Sequence, residues 1–427
     1  LRGAGIVLAL TVAAVALLPR AGVSLPEIVT RMLIPGPTAT PHAGVLAMGS
    51  WQAIAPPPTA GAFQVVPSPK DPDTVYACAT PGAQAAGRVP ATTPIIVWTT
   101  HNAGASWQPL RATTGTGCFL QVARDDPTRL ALSVTNDANG LDAGSCARTR
   151  FFLSPDAGAT WVSVPHQAID LAGAQLSECV LWPTAGWLYM MSFAVPQGQG
   201  SAAYALEASV DAGQHWTRFG DGLPASAHVM PETLGQPWTF AVQVPEGGSG
   251  QTTRTYVSYD SGANWFGFPA LTTQTSIEII YSGLGNGTIH CGCVVATGNI
   301  NQSPIDYQMQ LWLSDGKAWT QAPPIPSQGV LPGRTGLATW LGVTQDGRVL
   351  VTGLPPQLSA TPSPRVWAFD LYARTWAVAT TAMTVPCDRQ SGCYLGALGM
   401  TRTPAGSYLW VMNGRLGPIY RAFVPKR

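Results

Sequence analysis

Short apolar runs recur along this chain, each with polar or Gly/Pro punctuation at both ends. They include TVYACAT (74–80), PIIVWTT (94–100), TRLALSV (128–134), RTRFFLS (148–154), WLYMMSF (187–193) and YALEASV (204–210). RTYVSYD (254–260), MQLWLSD (309–315), RVLVTGL (348–354) and RVWAFDL (365–371) continue the series. Their alternation has period two, and they are rich in β-branched and aromatic residues. That pattern predicts strands. The turn density and the short period exclude helical repeats.

Between these runs the chain repeats one phrase. Aligned on its tryptophan, the first copy is Thr100, Asn102, Gly104 and Trp107. The second is Ser154, Asp156, Gly158 and Trp161, and the third is Ser209, Asp211, Gly213 and Trp216. Ser258, Asp260, Gly262 and Trp265 make the fourth. A copy one residue short has Ser314, Asp315, Gly316 and Trp319, and a longer one without glycine keeps Asp370 and Trp376. Ser50 and Trp51 are an earlier remnant. The tryptophans at 51, 107, 161, 216, 265, 319 and 376 are separated by 56, 54, 55, 49, 54 and 57 residues.

Units of about 50 residues with about four strands each predict propeller blades. After Trp376 only three strand-like segments follow, SGCYLGALGM, GSYLWVM and GPIYRAFV. Residues 50–54 form a lone strand at the other end. Placed at the outer edge of the last blade, that strand completes it and removes an open sheet edge. The expectation is an all-β, seven-bladed propeller of four-stranded blades over residues 49–427, closed by an N-terminal strand.

Every residue of the phrase has a structural use. Ser or Thr and Asp can hydrogen-bond to backbone N–H groups of a turn. Gly supplies a positive φ, and Trp begins the outer strand and covers the turn with apolar surface. Asn102 replaces the acid in one copy, which argues against a metal ligand that needs charge. The spacing S-x-D-x-G-x-x-W resembles the Asp-box of the sialidase and BNR-repeat superfamily, over about residues 49–424. FDLYARTW also resembles the corresponding kelch phrase. AFQVVPSPKDPDTVYACAT (62–80) is similar to the inner two strands of sortilin-type and photosystem II assembly-factor propellers. The resemblance implies that the phrases lie on the face opposite the binding mouth. Ligand loops would then include 80–94, 135–146, 195–202, 245–254, 297–306 and 354–364, which are rich in Gly, Pro, Gln, Asn and Ser.

Charge bounds the function. Charged residues are 11 % of the chain and the formal net charge is +1. A nucleic-acid binder needs a basic stripe, and none is present. Residues 3–18 carry no charge and precede Pro19 and Arg20. Residues 1–22 are therefore expected to be a membrane anchor or signal segment. Residues 23–48 are a linker with room for a short helix. The expected location is outside the cytoplasm, membrane-anchored, with secretion as the alternative.

Eight cysteines in an exported chain point to disulfides. Cys78–Cys118 and Cys146–Cys179 would each staple adjacent blades, and Cys387–Cys393 would pair locally. Cys291 and Cys293, next to His290, read as thiols on a strand, and no metal or cofactor is expected.

Sialidase chemistry would need an arginine triad for a carboxylate, a Tyr–Glu pair and an acid. Arg88, in Arg88-Val89-Pro90, is a weak match to the first arginine. Glu178, Glu207, Glu232, Glu246 and Glu278 have no partner at a diagnostic spacing. Arg148 and Arg150 share a strand face without an assigned role. Most of the 15 tryptophans fall in the phrases or in strands, so their abundance reads as architecture. The expected function is binding of a glycan, peptide or envelope protein at the axial mouth. A sialidase-like exo-glycosidase and an assembly scaffold for a membrane complex are the alternatives.

Overall fold

The computed structural model describes residues 49–59, 62–80, 93–136, 149–165, 175–195, 203–219, 228–229, 240–246, 252–258, 265–272, 278–280, 291–299, 306–314, 318–323, 338–344, 346–353, 365–371, 373–381, 383, 395–413 and 418–427. The chain divides into two compact units, Leu1–Ala43 and Gly44–Arg427. The described residues all belong to the second. None of them forms a helix long and apolar enough to cross a membrane; the apolar run 3–18 lies outside them.

The predicted strands form, and they pair as antiparallel meanders. After β1 (Trp51–Ile54), the first sheet comprises β2 (Ala62–Pro67), β3 (Val75–Thr80), β4 (Pro94–Thr100) and β5 (Gln108–Thr114). The second is β6 (Gly117–Val122), β7 (Leu130–Thr135), β8 (Thr149–Ser154) and β9 (Val162–Val164). The third is β10 (Gln175–Pro183), β11 (Leu188–Val195), β12 (Ala203–Ser209) and β13 (Thr217–Phe219). The fourth has β14 (His228–Val229), β15 (Phe240–Glu246), β16 (Thr252–Ser258), β17 (Phe266–Gly267) and β18 (Leu271–Thr272). The fifth is β19 (Glu278–Ile280), β20 (Cys291–Asn299), β21 (Asp306–Ser314) and β22 (Trp319–Gln321). The sixth is β23 (Ala338–Val343), β24 (Arg348–Gly353), β25 (Arg365–Asp370) and β26 (Thr375–Val378). The seventh is β27 (Leu395–Thr403), β28 (Gly406–Asn413) and β29 (Ile419–Pro425), with β1 on its outer edge.

The fourth sheet departs from the expected four strands. Both β17 and β18 pair with β16. They are one outer strand interrupted around Pro269, which has no N–H to give to the ladder.

Alternation along each strand distributes its side chains to two neighbours. On β3, Val75 and Ala77 pack with Ile54, Trp410 and Ile419 of the seventh sheet. Tyr76 and Cys78 of the same strand pack with Leu120, Leu132 and Phe152 of the second. The second sheet turns Ala131, Phe151 and Leu153 to Leu181, Leu188 and Met190 of the third. In the sixth, Val349, Val351 and Phe369 meet Leu311 and Leu313 of the fifth. Leu350, Val366 and Ala368 meet Leu409 and Val411 of the seventh. The first, second, sixth and seventh sheets thus carry buried clusters on both faces, so both phases of the alternation on their inner strands are apolar.

Contacts between β12 and β14 join the third sheet to the fourth. Phe268 against Trp319, with ring centres 6.0 Å apart, joins the fourth to the fifth. The succession returns to its start, because β27 also contacts β2. Sheets stacked face to face in a closed ring are the arrangement of a β-propeller. Closure uses β1, whose Trp51 pairs with Ala422 and Ile54 with Ile419. Arg421 reinforces the seam through Asp73 at 3.0 Å and Gln52 at 2.8 Å.

Candidate functional site

Three copies of the phrase are described in full, and they share one geometry. In the second, Ser154 Oγ donates to Asp156 Oδ1 at 3.0 Å and accepts the Gly158 N–H at 2.8 Å. The Thr160 N–H and hydroxyl donate to the two oxygens of Asp156 at 2.7 and 2.6 Å. In the third, Gly213 N–H donates to Ser209 Oγ at 2.8 Å and His215 N–H to Asp211 Oδ1 at 2.9 Å. In the first, Gly104 N–H donates to Thr100 Oγ1 at 2.9 Å and Ser106 N–H to Asn102 Oδ1 at 2.9 Å. Asn102 Nδ2 then donates to Ser106 Oγ at 2.8 Å, where an acid would accept. One side-chain oxygen suffices to build the turn.

The reversal takes two consecutive left-handed residues. φ is 51° and 82° at Ala103 and Gly104, 56° and 92° at Ala157 and Gly158, and 59° and 88° at Ala212 and Gly213. Alanine in this region costs about 1 kcal/mol or more. The Ala103 N–H donates to Asp73 O and that of Ala157 to Thr128 O, which pins two of the turns to the neighbouring hairpin of their own sheets.

Five of the tryptophans, including Trp51 of the remnant, also couple their sheet to the one before it. Trp107 Nε1 donates to Ala55 O at 3.0 Å and Trp216 Nε1 to Pro165 O at 3.1 Å. Trp319 Nε1 donates to Pro269 O at 2.7 Å and Trp376 Nε1 to Pro323 O at 2.9 Å. Trp51 Nε1 does the same to Thr381 O at 3.1 Å. Four of the acceptors follow the outer strand of the preceding sheet, and Pro269 O lies at the interruption between β17 and β18. The glycines pack there too. A Cβ on Gly104 would lie 2.5 Å from Ile54 Cγ2, and one on Gly213 2.3 Å from Val164 Cγ1. Gly49 packs in the same way on Thr380, so the remnant at Trp51 keeps the contact without the acid.

Sequence reasoning missed this coupling. The signal was present: Pro165, Pro269 and Pro323 each lie about one repeat before a phrase tryptophan. It also missed Gln64, whose amide accepts the Leu120 N–H at 2.6 Å and donates to Leu120 O at 3.2 Å. This side chain satisfies the open edge of β6 from the adjacent sheet.

The remaining positions are placed unevenly. Trp265 is described, and its indole N–H has no acceptor among the described residues. Ser258 and Ser314 end β16 and β21, while Asp260, Gly262, Asp315 and Gly316 lie outside the described residues. Asp370 accepts the Ala373 N–H at 2.9 Å and Arg427 at 2.6 Å. Arg374, at φ 55°, takes the left-handed position in this copy.

Cys78 and Cys118 are joined in a disulfide between the first and second sheets. Cys179 lies on β10, and Cys291 and Cys293 lie on β20. Cys146, Cys387, Cys393, His290, Arg88 and most of the expected ligand loops lie outside the described residues. Among the described residues no three His, Cys, Asp or Glu gather as metal ligands would.

Electrostatics follow the same division. The His215 backbone N–H, then the Ser209 hydroxyl and the His215 ring, hold the Asp211 carboxyl well below the usual carboxylate range. Burial, followed by the charge of Asp71, pushes Tyr76 up to about 12. Burial also raises Tyr408 and Tyr420. These shifts oppose the ionisation that would activate a tyrosine nucleophile.

The ring of sheets defines the class, a β-propeller. No family model and no curated protein matches the chain. Among solved structures, its path is similar to that of YCF48 from Cyanidioschyzon merolae, at 14 % identity and TM-score 0.45, covering 88 % of this chain and 99 % of that one. A structure of YCF48 bound to D1 peptide is similar at 12 % identity and TM-score 0.46, covering 89 % and 99 %. The GH93 α-L-arabinofuranosidase of Fusarium graminearum with arabinobiose is similar at 13 % identity and TM-score 0.42, covering 88 % and 98 %. All three TM-scores fall below 0.5, and neither the peptide nor the sugar transfers to this chain on that basis.

Proposed function

We propose that the chain is an exported, seven-bladed Asp-box propeller that binds a glycan, a peptide or an envelope protein at its axial mouth, with residues 1–22 as membrane anchor or signal. One observation carries this reading. The phrase residues are consumed by architecture: in the three fully described copies their hydroxyl, amide and carboxylate oxygens are spent within the turn. The indole N–H of each of these three is also engaged. Recognition therefore falls to the opposite face and its Gly-, Pro- and Asn-rich loops. The Cys78–Cys118 disulfide supports export, because such bonds persist in oxidising compartments.

A glycan and peptide array probed with the full chain tests binding, and a fluorogenic sialoside assay runs in parallel. Saturable binding without turnover is the expected result. Sialoside turnover would replace this reading with the exo-glycosidase. Fractionation of cells expressing the natural gene tests the anchor, with recovery in the membrane pellet expected.

A further inference from the structure

Arg150 takes no part in the phrase turns or in ring closure. Its guanidinium carbon lies 5.9 Å from the centre of the Phe152 ring. Arg111, from β5 of the first sheet, lies 4.1 Å over the same ring and 5.8 Å from the ring of Trp161. Two guanidinium groups from adjacent sheets thus share one aromatic platform. Arg150 Nη2 donates to Thr114 O, which ties the pair to the end of β5. Thr114 closes β5 and Thr149 opens β8, so Arg150 sits at the strand ends opposite the phrase turns.

Among the described residues the pair meets no neutralising carboxylate. Elsewhere, Arg348, Arg421 and Arg427 each meet an aspartate, Asp346, Asp73 and Asp370 respectively. Neither Arg111 nor Arg150 pairs with a carboxylate among the described residues. Arg111 Nε is buried and has no acceptor there. Burial, then the charge of Arg150, lowers the Arg111 pKa, the direction expected of a cation held without a counter-ion.

We propose that Arg111 and Arg150 form an oxyanion site at the junction of the first and second sheets, taking the carboxylate, sulfate or phosphate group of a ligand. Guanidinium forks match the geometry of these groups. Cation–π contact with Phe152, and for Arg111 with Trp161 as well, holds the two groups near one another in advance. The anion would relieve the repulsion between two like charges. The site does not depend on the axial mouth, and either can fail without the other.

The test is calorimetric titration of the full chain at low salt with sodium sulfate, sodium phosphate and sodium glucuronate. Saturable binding of at least one is expected. Binding of glucuronate alone assigns a carboxylate, and binding of sulfate or phosphate alone assigns a tetrahedral anion. Arg150→Gln should weaken that binding by about tenfold or more, the loss expected for a charged hydrogen bond. Arg111→Gln should do likewise. Arg218→Gln, on the exposed outer strand β13, should leave it unchanged. Arg150 is exposed, so its variant should fold even if Arg111→Gln does not, which circular dichroism checks. Absence of saturable binding, or equal binding by Arg150→Gln, overturns the site and leaves the pair as packing.

Discussion

Two neighbouring junctions of the ring carry the same phrase and are held differently. Between the second and third sheets, Trp216 reaches across to Pro165 O and Gly213 packs on Val164. Between the first and second, Gly158 packs on Leu110, but Trp161 Nε1 donates to its own Gly158 O at 3.0 Å. That junction has the Cys78–Cys118 disulfide and the Gln64 amide instead. The turn and the glycine contact are constant, and the indole bond is replaceable. At the junction between the first and second sheets the tryptophan lies near Arg111.

The comparison can be broken most forcefully at the staple. Closing a loop with a sequence separation of 40 restricts the unfolded chain by about 4 kcal/mol. Cys78→Ala with Cys118→Ala should lose about that much in chemical denaturation. A loss below about 1 kcal/mol would mean that packing alone holds the junction.

The glycines come next. Gly213→Ala meets Val164, whose branched side chain is stiff, at a left-handed φ. It should cost about 3 kcal/mol. Gly158→Ala meets the mobile end of Leu110 at 2.4 Å and should cost about half as much. Equal losses in thermal unfolding would show that backbone strain, not the contact, sets the cost.

Trp216→Phe keeps the apolar cover and deletes one hydrogen bond, for about 1 kcal/mol. Amide exchange should quicken on both sides of its junction. Trp161→Phe should quicken exchange only within its own turn.

The smallest effect separates the first and third phrases by pH. Asp211 is held below its usual pKa, so its folded value is depressed relative to the unfolded chain. Its contribution is complete above the unfolded value, about 4, and fades as pH falls through the folded one. Asn102 does not titrate. Acid should therefore speed exchange of the Gly213 and His215 amides relative to those of Gly104 and Ser106. Equal acceleration would detach the effect from the carboxylate.

Strand runs and the phrase spacing were legible because they are periodic or local, and the pairing of β1 because the last unit counts one strand short. Cys78 and Cys118 could be paired because strand order brings β3 beside β6. The partner of each indole was harder to see. A backbone carbonyl leaves no mark in composition, so only the repeat-spaced prolines betrayed three of the acceptors. Gln64 was invisible for a related reason: an amide in a strand has no signature until its neighbouring sheet is known. The interruption at Pro269 was readable in principle from proline's missing N–H. Arg150 was noticed, but its partner Arg111 lies on another sheet with no fixed spacing to it.

The seam at β1 has a mechanical consequence. Gly49 N–H donates to Phe423 O at 2.9 Å, and Gly49 O accepts from Thr381 at 2.8 and 2.9 Å. Any tension arriving along the chain from upstream meets these bonds first. Beyond them β1 runs antiparallel to β29, with Trp51 opposite Ala422, so a pull toward the upstream side peels the ladder pair by pair instead of shearing it at once. Under such a load the seventh sheet would lose its outer strand first, beginning at residue 49, with the other six sheets still intact.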